Sequence, residues 1–260
     1  MTGTSEHQHR HHHVTADRIG IVGLGAFGRL AAATLARHAE VVGIDPNTSS
    51  PTPEGVTRGR LDDLRDCGVV VLAVPVAQLA GVLDEVAPIV RAGALVVDVA
   101  SVKSKPIELM LAKLPPHCRV VGTHPLFGPQ TAAEVGLSGQ TVALCPARAP
   151  RSVVRLLRRF LERRLGLHAI EVGADEHDRQ MAMVQVVTHL IGRTATAMPL
   201  PDLPLATLAY TRLLQLKRNT EQDSAALFDT IQHWNPHAAD ARRRLLEAVE
   251  TVVKDADCVT

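Results

Sequence analysis

Apolar residues in the first two-thirds of the chain come in short bursts. Arg18-Ile19-Gly20-Ile21-Val22, Val41-Val42-Gly43-Ile44, Gly68-Val69-Val70-Val71-Leu72-Ala73, Ala94–Asp98 and Arg119–Thr123 are runs of this kind, rich in Val and Ile. Such brief, nearly uninterrupted runs predict parallel strands buried on both faces. Helical patterns lie between them: an Ala/Leu helix ending near His38, short turns over Asp62–Cys67, a helix from about Ala77 and another over Lys105–Lys113. Pro46–Gly59, with its Pro, Thr and Ser, reads as a loop. Thr141–Cys145 and His168–Val172 are further strands. They flank Arg151–Leu165, where arginines alternate with Leu, Val and Phe at helical spacing, the solvated face of an amphipathic helix. Strand–helix alternation of this kind predicts an α/β fold with a doubly wound, mostly parallel sheet.

Beyond Val172 the strands stop. Asp175–Met198 is predicted as one long helix, in which Met181, Met183, Val184, Val186, Val187, Leu190 and Ile191 leave little polar circumference. A helix apolar nearly all round is buried on several sides. Pro199, Pro201 and Pro204 end it, and helices resume over Ala206–Arg218, Asp223–Gln232 and His237–Lys254. The chain divides into a disordered His-rich tail (1–16), an α/β domain (17–173) and an all-helical domain (174–260). That long helix is more apolar than one small domain can cover, so a twofold homodimer through the helical domain is expected.

Composition removes several function classes. With a formal net charge of +1 and 2% aromatic residues, the chain lacks both the field and the stacking platforms of a nucleic-acid binder. It has no apolar run of about 18 residues, so no membrane span is expected. Cys67, Cys118, Cys145 and Cys258 are widely spaced, which suits reduced thiols in the cytoplasm better than disulfides or a zinc site. His7, His9, His11, His12 and His13 precede no apolar signal core, and metal binding there would say nothing about the fold.

Gly23-Leu24-Gly25-Ala26-Phe27-Gly28 sits directly between the first strand and the first helix, and Asp45 ends the second strand. G-x-G-x-x-G in that setting, with an acid about 20 residues on, is a dinucleotide signature of Rossmann-type domains. The glycines allow a tight turn and close approach of a pyrophosphate to the helix N-terminus. Asp45 suits the ribose hydroxyls and repels a 2′-phosphate, favouring NAD over NADP. Three more strand ends should share that edge of the sheet: Ala73-Val74-Pro75, Ser101-Val102-Lys103 and His124. Ser101 offers a hydroxyl there and Lys103 a cation. Pro125 bars His124 from the helical region, and Phe127-Gly128-Pro129 turns the chain, so the imidazole stands where a strand ends.

These pieces together resemble the prephenate dehydrogenase family, which includes arogenate and 4-amino-4-deoxyprephenate dehydrogenases. The resemblance rests on the glycine motif, Ala73-Val74-Pro75, Asp98–Lys103, Thr123–Pro129, and Glu176–Ala182 with Gln185 and His189. It implies NAD-dependent oxidative decarboxylation of a cyclohexadienyl acid. His124 would be the catalytic hydrogen-bond partner of the C4 substituent, and Ser101 would share that bond and face the nicotinamide. Gln185 and His189 would meet the substrate side chain. Arg218 best matches the ring-carboxylate arginine, with Lys217, Arg212 and Arg193 as rivals. His177 and Arg179 belong to a matching motif and are read as structural, at the domain junction. No carboxylate lies within a turn of Gln185 and His189, and Glu134 is the only acid expected near them. That favours a keto-acid side chain: prephenate first, then 4-amino-4-deoxyprephenate, then arogenate. Two other readings stand beside this one. A β-hydroxyacid dehydrogenase would want a lysine on the long helix, which has none; an NAD-binding sensor would have lost the chemistry.

Overall fold

The computed structural model describes residues 18–49 and 51–257. The expected tail at 1–16 and Cys258 lie outside the described residues. The chain begins with β1 (Arg18–Val22), α1 (Ala26–Leu35), β2 (Glu40–Ile44) and β3 (Val56–Arg58). A 3-10 turn over Leu61–Asp66 leads to β4 (Val69–Leu72), α2 (Val76–Val86), β5 (Leu95–Asp98), α3 (Ser104–Lys113) and β6 (Arg119–Pro125). Then come α4 (Pro129–Val135), β7 (Thr141–Arg148), α5 (Arg151–Leu165) and β8 (His168–Glu171). From Ala174 onward the chain is helical: α6 (Ala174–Met181), a π segment (Ala182–Val187), α7 (Thr188–Ala197), α8 (Leu208–Gln222), α9 (Ala225–His233) and α10 (Ala238–Asp257).

The strands form one sheet in the order β3-β2-β1-β4-β5-β6-β7-β8. Every pairing is parallel except β6–β7, which is antiparallel. The uninterrupted apolar runs have the expected cause, since alternate residues of each central strand enter different cores. Val70, Leu72, Val96 and Val120 pack with Leu79, Leu83 and Met110 of α2 and α3 on one face. Val71, Leu95, Val97 and Val121 pack with Ala32 of α1 and with Val153 and Val154 of α5 on the other.

Three details depart from the sequence pattern. Pro46–Gly59 contains the short edge strand β3, and the segment after Pro129 contains α4. Both are too short to carry a period of their own. The long helix is interrupted: Ala182–Val187 widens into a π segment, and Met183 and Val184 stay more than half exposed.

At the end of β5 the sheet buries a charge pair. Lys103 is fully enclosed, Asp98 is 1% exposed, and the ammonium sits on Asp98 Oδ2 and on the carbonyl of Thr123 at 2.6 Å. Removing one partner of a buried pair leaves the other uncompensated, at a cost of about 3–5 kcal/mol. Lys103→Met should therefore lower the unfolding free energy by about that amount in a urea titration. Asp98→Asn in the same chain should recover a large part of it. A single variant as stable as the parent would show that the pair does not hold this edge together.

Candidate active site

The strand order reverses direction between β1 and β4, and the crevice beyond their C-terminal ends is where open α/β sheets bind ligands. The glycine turn lies there. Gly23 has φ +97°, and a Cβ on it would stand 2.5 Å from the Ala73 carbonyl oxygen. A Cβ on Gly28 would stand 2.0 Å from the carbonyl oxygen of Gly23. Gly25, in contrast, begins α1 with nothing within 4 Å of its would-be Cβ and with no side-chain cap on the helix. The turn is thus closed toward the protein and open toward the crevice, which is the shape a pyrophosphate needs. Asp45 braces it: Oδ2 accepts the Leu24 N–H at 2.6 Å and Oδ1 accepts the Asn47 N–H at 2.8 Å. Ala73, Val74 and Pro75 form the floor beneath Gly23 and lead into α2. Ala26 opens α1, and Phe27 turns its ring to Phe127, centroids 6.2 Å apart. These residues fit a dinucleotide.

His124 stands at the end of β6, 3% exposed, paired across the sheet with Ala143. Its Nδ1 lies 2.9 Å from Nε2 of His177, and Nδ1 of His177 lies 2.9 Å from Asp178 Oδ1. Asp178 also accepts the backbone N–H groups of Lys103 at 2.7 Å and Ser104 at 2.8 Å. On the other side of the ring, Gln185 Nε2 is 3.5 Å from His124 Nε2, and Gln185 Oε1 is buried without a partner. The π segment that holds Gln185 carries it over the imidazole, a placement seen often where such segments mark functional sites. Burial first, then the neighbouring His177 and the Lys103 ammonium, push the His124 pKa well below its ordinary value. The imidazole is a neutral base at physiological pH.

The expected substrate-binding residues separate into groups. Lys103 is corrected: its ammonium is closed into the pair with Asp98 and has no access to the crevice, because Thr123 and Asp98 take it first. Ser101 is half-buried between β5 and α3, and its hydroxyl has no partner among the described residues. His189 does have a carboxylate beside it, against expectation. Asp223, after α8, puts Oδ2 3.5 Å from His189 Nδ1. Arg193 joins this group, donating to the Asp223 carbonyl at 3.1 Å and lying 5.2 Å over the Phe228 ring. Glu134 is exposed on α4. Arg218 lies exposed on α8, where its Nη2 donates to Oε1 of Gln215 on the same helix at 3.2 Å. No hydrogen bond or ion pair among the described residues joins Arg218 to His124, Gln185 or His189. Lys217 is paired with Glu221 at 2.8 Å.

His177 and Asp178 are the residues that sequence reasoning undervalued. They match the family motif, but only the packing of α6 against β6 and α3 turns them toward His124. Asp223 was missed for the same reason, since it reaches His189 from a different helix.

The chain is similar to known proteins over most of its length. A family model described as prephenate dehydrogenase, nucleotide-binding domain, matches residues 30–169, and one described as TYRAAT1-like, C-terminal domain, matches residues 194–256. Arogenate dehydrogenase 1, chloroplastic, of Arabidopsis thaliana is 32% identical over 248 residues, 90% of this chain and 38% of the relative's length. Arogenate dehydrogenase 2, chloroplastic, of the same plant is 30% identical over 253 residues, 93% of this chain and 70% of the relative. The chain therefore spans well under half of the first and somewhat over two-thirds of the second. Among solved structures, prephenate dehydrogenase from A. aeolicus in complex with hydroxyphenyl propionate and NAD+ superposes with a TM-score of 0.72 at 19% identity, covering 93% of this chain and 92% of that one.

The buried imidazole links stability to pH. The unfolded chain binds a proton on His124 near the ordinary pKa of about 6.5, whereas the folded chain resists it. The stability this represents is complete above that value and is lost as pH falls below it. The melting temperature should therefore decline between about pH 7.5 and 5.5. His124→Asn should flatten part of that decline in a thermal melt without ligand. An unchanged slope would mean that His124 is not the group concerned.

Proposed function

Since the chain belongs to the prephenate dehydrogenase family, we propose that it catalyses the NAD-dependent oxidative decarboxylation of a cyclohexadienyl dicarboxylic acid, prephenate first among them. The observation that carries this reading is the neutral, buried His124 at the crevice edge, next to a glycine cradle fitted to a dinucleotide. Gly23, Gly25 and Gly28 would hold the pyrophosphate, Asp45 the ribose, and the Ala73–Pro75 segment the floor. NAD held there would supply the acceptor for the hydride of ring C4. His124 takes the proton of the C4 hydroxyl through Nε2, the ring nitrogen not used by His177. A carbonyl develops at C4 and draws in the electron pair left by the departing ring carboxylate. The ring becomes aromatic, CO2 leaves, and the phenolate oxygen recovers its proton. Ser101 has a spare hydroxyl for the same C4 substituent.

The substrate's carboxylates need a fixed cation. Lys103 is withdrawn from that role and Lys217 is paired with Glu221. Arg193 is engaged by Asp223 and Phe228. Arg218 holds only a neutral glutamine and lies five residues before Asp223, which touches His189. Arg212, exposed on the same helix, lies six residues further from Asp223, which leaves Arg218 as the favoured carboxylate ligand, with planar bidentate geometry as the reason for an arginine. Gln185 and His189 face the side chain. Asp223 supports a second reading, because a carboxylate beside His189 suits the ammonium of arogenate. Its charge is already shared with His189 and Arg193, so the keto acid stays first. A C4 amine, as in 4-amino-4-deoxyprephenate, is compatible with His124 and Ser101, which both donate and accept.

We also propose that the protein works as a homodimer in the cytoplasm. Leu246, Val249, Val252 and Val253 form an exposed apolar stripe along α10, and Met183 and Val184 are exposed on the π segment. A second copy of the same domain would cover both. The free, buried Cys67, Cys118 and Cys145 support a reducing compartment, and no helix among the described residues is long and apolar enough to cross a membrane.

Absorbance at 340 nm with prephenate, arogenate and 4-amino-4-deoxyprephenate tests the reaction. The highest kcat/KM is expected for prephenate, and His124→Asn should lower kcat by about 10²–10⁴-fold. A near-normal kcat would remove His124 from the chemistry. If arogenate is the best substrate, the second reading holds, and Asp223→Asn should then depress arogenate turnover more than prephenate turnover. Light scattering at micromolar concentration should give twice the chain mass of 27.9 kDa. A monomer would refute the dimer.

A further inference from the structure

The hydrogen bonds around Asp178 fix where the protons are. Asp178 Oδ1 accepts the Lys103 N–H and Oδ2 accepts the Ser104 N–H, so this carboxylate acts as an acceptor. Burial opposes its charge, but the hydrogen bonds from His177, Ser104 and Lys103 outweigh burial and hold its pKa below the usual range. The contact between Asp178 Oδ1 and His177 Nδ1 then requires the proton on His177. A His177 with that single proton presents a lone pair at Nε2, so His124 must donate from Nδ1 across the 2.9 Å contact. His124 Nε2 is left as a lone pair directed at Gln185 and the crevice.

Resting on the function proposed above, we propose that Asp178 and His177 are positioning residues that lock His124 in the Nδ1–H tautomer and accept its proton during turnover. When His124 Nε2 takes the C4 hydroxyl proton, its Nδ1 proton passes to His177 Nε2. His177 then carries the positive charge against the Asp178 carboxylate, and His124 is neutral again. When the phenolate forms, it takes the proton back from His124 Nε2, and the Nδ1 proton returns from His177. No proton is gained or lost over the cycle. The arrangement extends a familiar logic, a carboxylate orienting a histidine base, by one imidazole. Its physical advantage is the location of the charge. A cation on His124 would face the Lys103 ammonium, which is compensated by Asp98 alone, whereas on His177 it faces Asp178 directly. The other groups around the pair are Gln185 from the π segment and Cys145 from β7. Burial pushes the Cys145 thiol up to about 12, so it stays protonated and takes no part.

Three variants and one spectroscopic measurement test this. His177→Gln can still accept the Nδ1 proton bond but cannot take the proton on. His177→Leu can do neither. The expected losses in kcat are about 10–100-fold for Gln and more for Leu, with NAD affinity retained in both; Leu, which removes a donor from the buried Asp178 carboxylate, should also lower the melting temperature. The acidic limb of the kcat profile should move to lower pH in His177→Gln, because the charge has lost its place beside Asp178. In His124→Asn, adding His177→Gln should cost little more, since the two act as a unit. Equal losses for Gln and Leu with an unmoved limb, or losses that multiply in the double variant, would overturn the relay while leaving His124 as the base. Histidine 15N spectra of the ligand-free protein give a readout independent of turnover. They should show His124 protonated at Nδ1 and unprotonated at Nε2, with that preference lost in His177→Leu. A proton on Nε2 in the parent protein would overturn the proposal. If none of the three cyclohexadienyl acids is turned over, the proposed function fails, and the spectra still decide the tautomer.

Discussion

One carboxylate joins the two halves of this molecule. Asp178, on the first helix after the sheet, accepts two backbone N–H groups at the start of α3 and the imidazole of His177. Its own carbonyl accepts the side chain of Asn235, 2.8 Å away, from the connection between α9 and α10. The helical domain is thereby registered on the sheet at the point where β5 and β6 end. A buried carboxylate with fewer donors would be costly, so each of these bonds is needed to keep the others in place.

The same edge carries a second buried charge system, Asp98 with Lys103. It satisfies the end of β5 and the carbonyl of Thr123, one residue before His124. Two anions and one ammonium therefore surround the base of His124 without reaching the crevice. The effect is electrostatic as well as structural. The fixed ammonium discourages a proton on His124, and the carboxylate behind His177 offers that charge a place one ring further away. On the open side of the imidazole stands Gln185, whose carbonyl oxygen has no hydrogen-bond partner among the described residues.

The helices after Ala174 add a cluster of side chains whose charges are nearly balanced. His189 and Arg193 come from α7 and Asp223 from the turn after α8, and they bring a base, a cation and an acid together within a few ångströms. Under the proposed function, selectivity between keto and amino side chains would depend on how much of the Asp223 charge remains uncompensated, a quantity set by packing rather than by the presence of an acid on any one helix.

Periodicity was enough to read the layered sheet, the glycine turn and the strand-end position of His124. Each is a local consequence of residue type: Val and Ile runs buried on both faces, glycines where a Cβ would strike a carbonyl, a proline that holds its predecessor extended. Arg151–Leu165 was legible to the residue because its arginines and leucines alternate over several turns. The short strand at Val56 and the helix at Pro129 escaped, since three and seven residues carry too little pattern. The π segment at Ala182–Val187, which holds Gln185 beside His124, escaped because no residue type specifies it. Lys103 looked like a substrate cation because sequence shows charge but not enclosure. His177 looked structural, and Asp178 drew no assignment, because their partners lie 53 and 75 residues away along the chain. Which residues exist was written in the sequence, but which of them touch was decided by tertiary structure, because hydrogen bonds between ring nitrogens and carboxylates form only where separate elements are packed within about 3 Å.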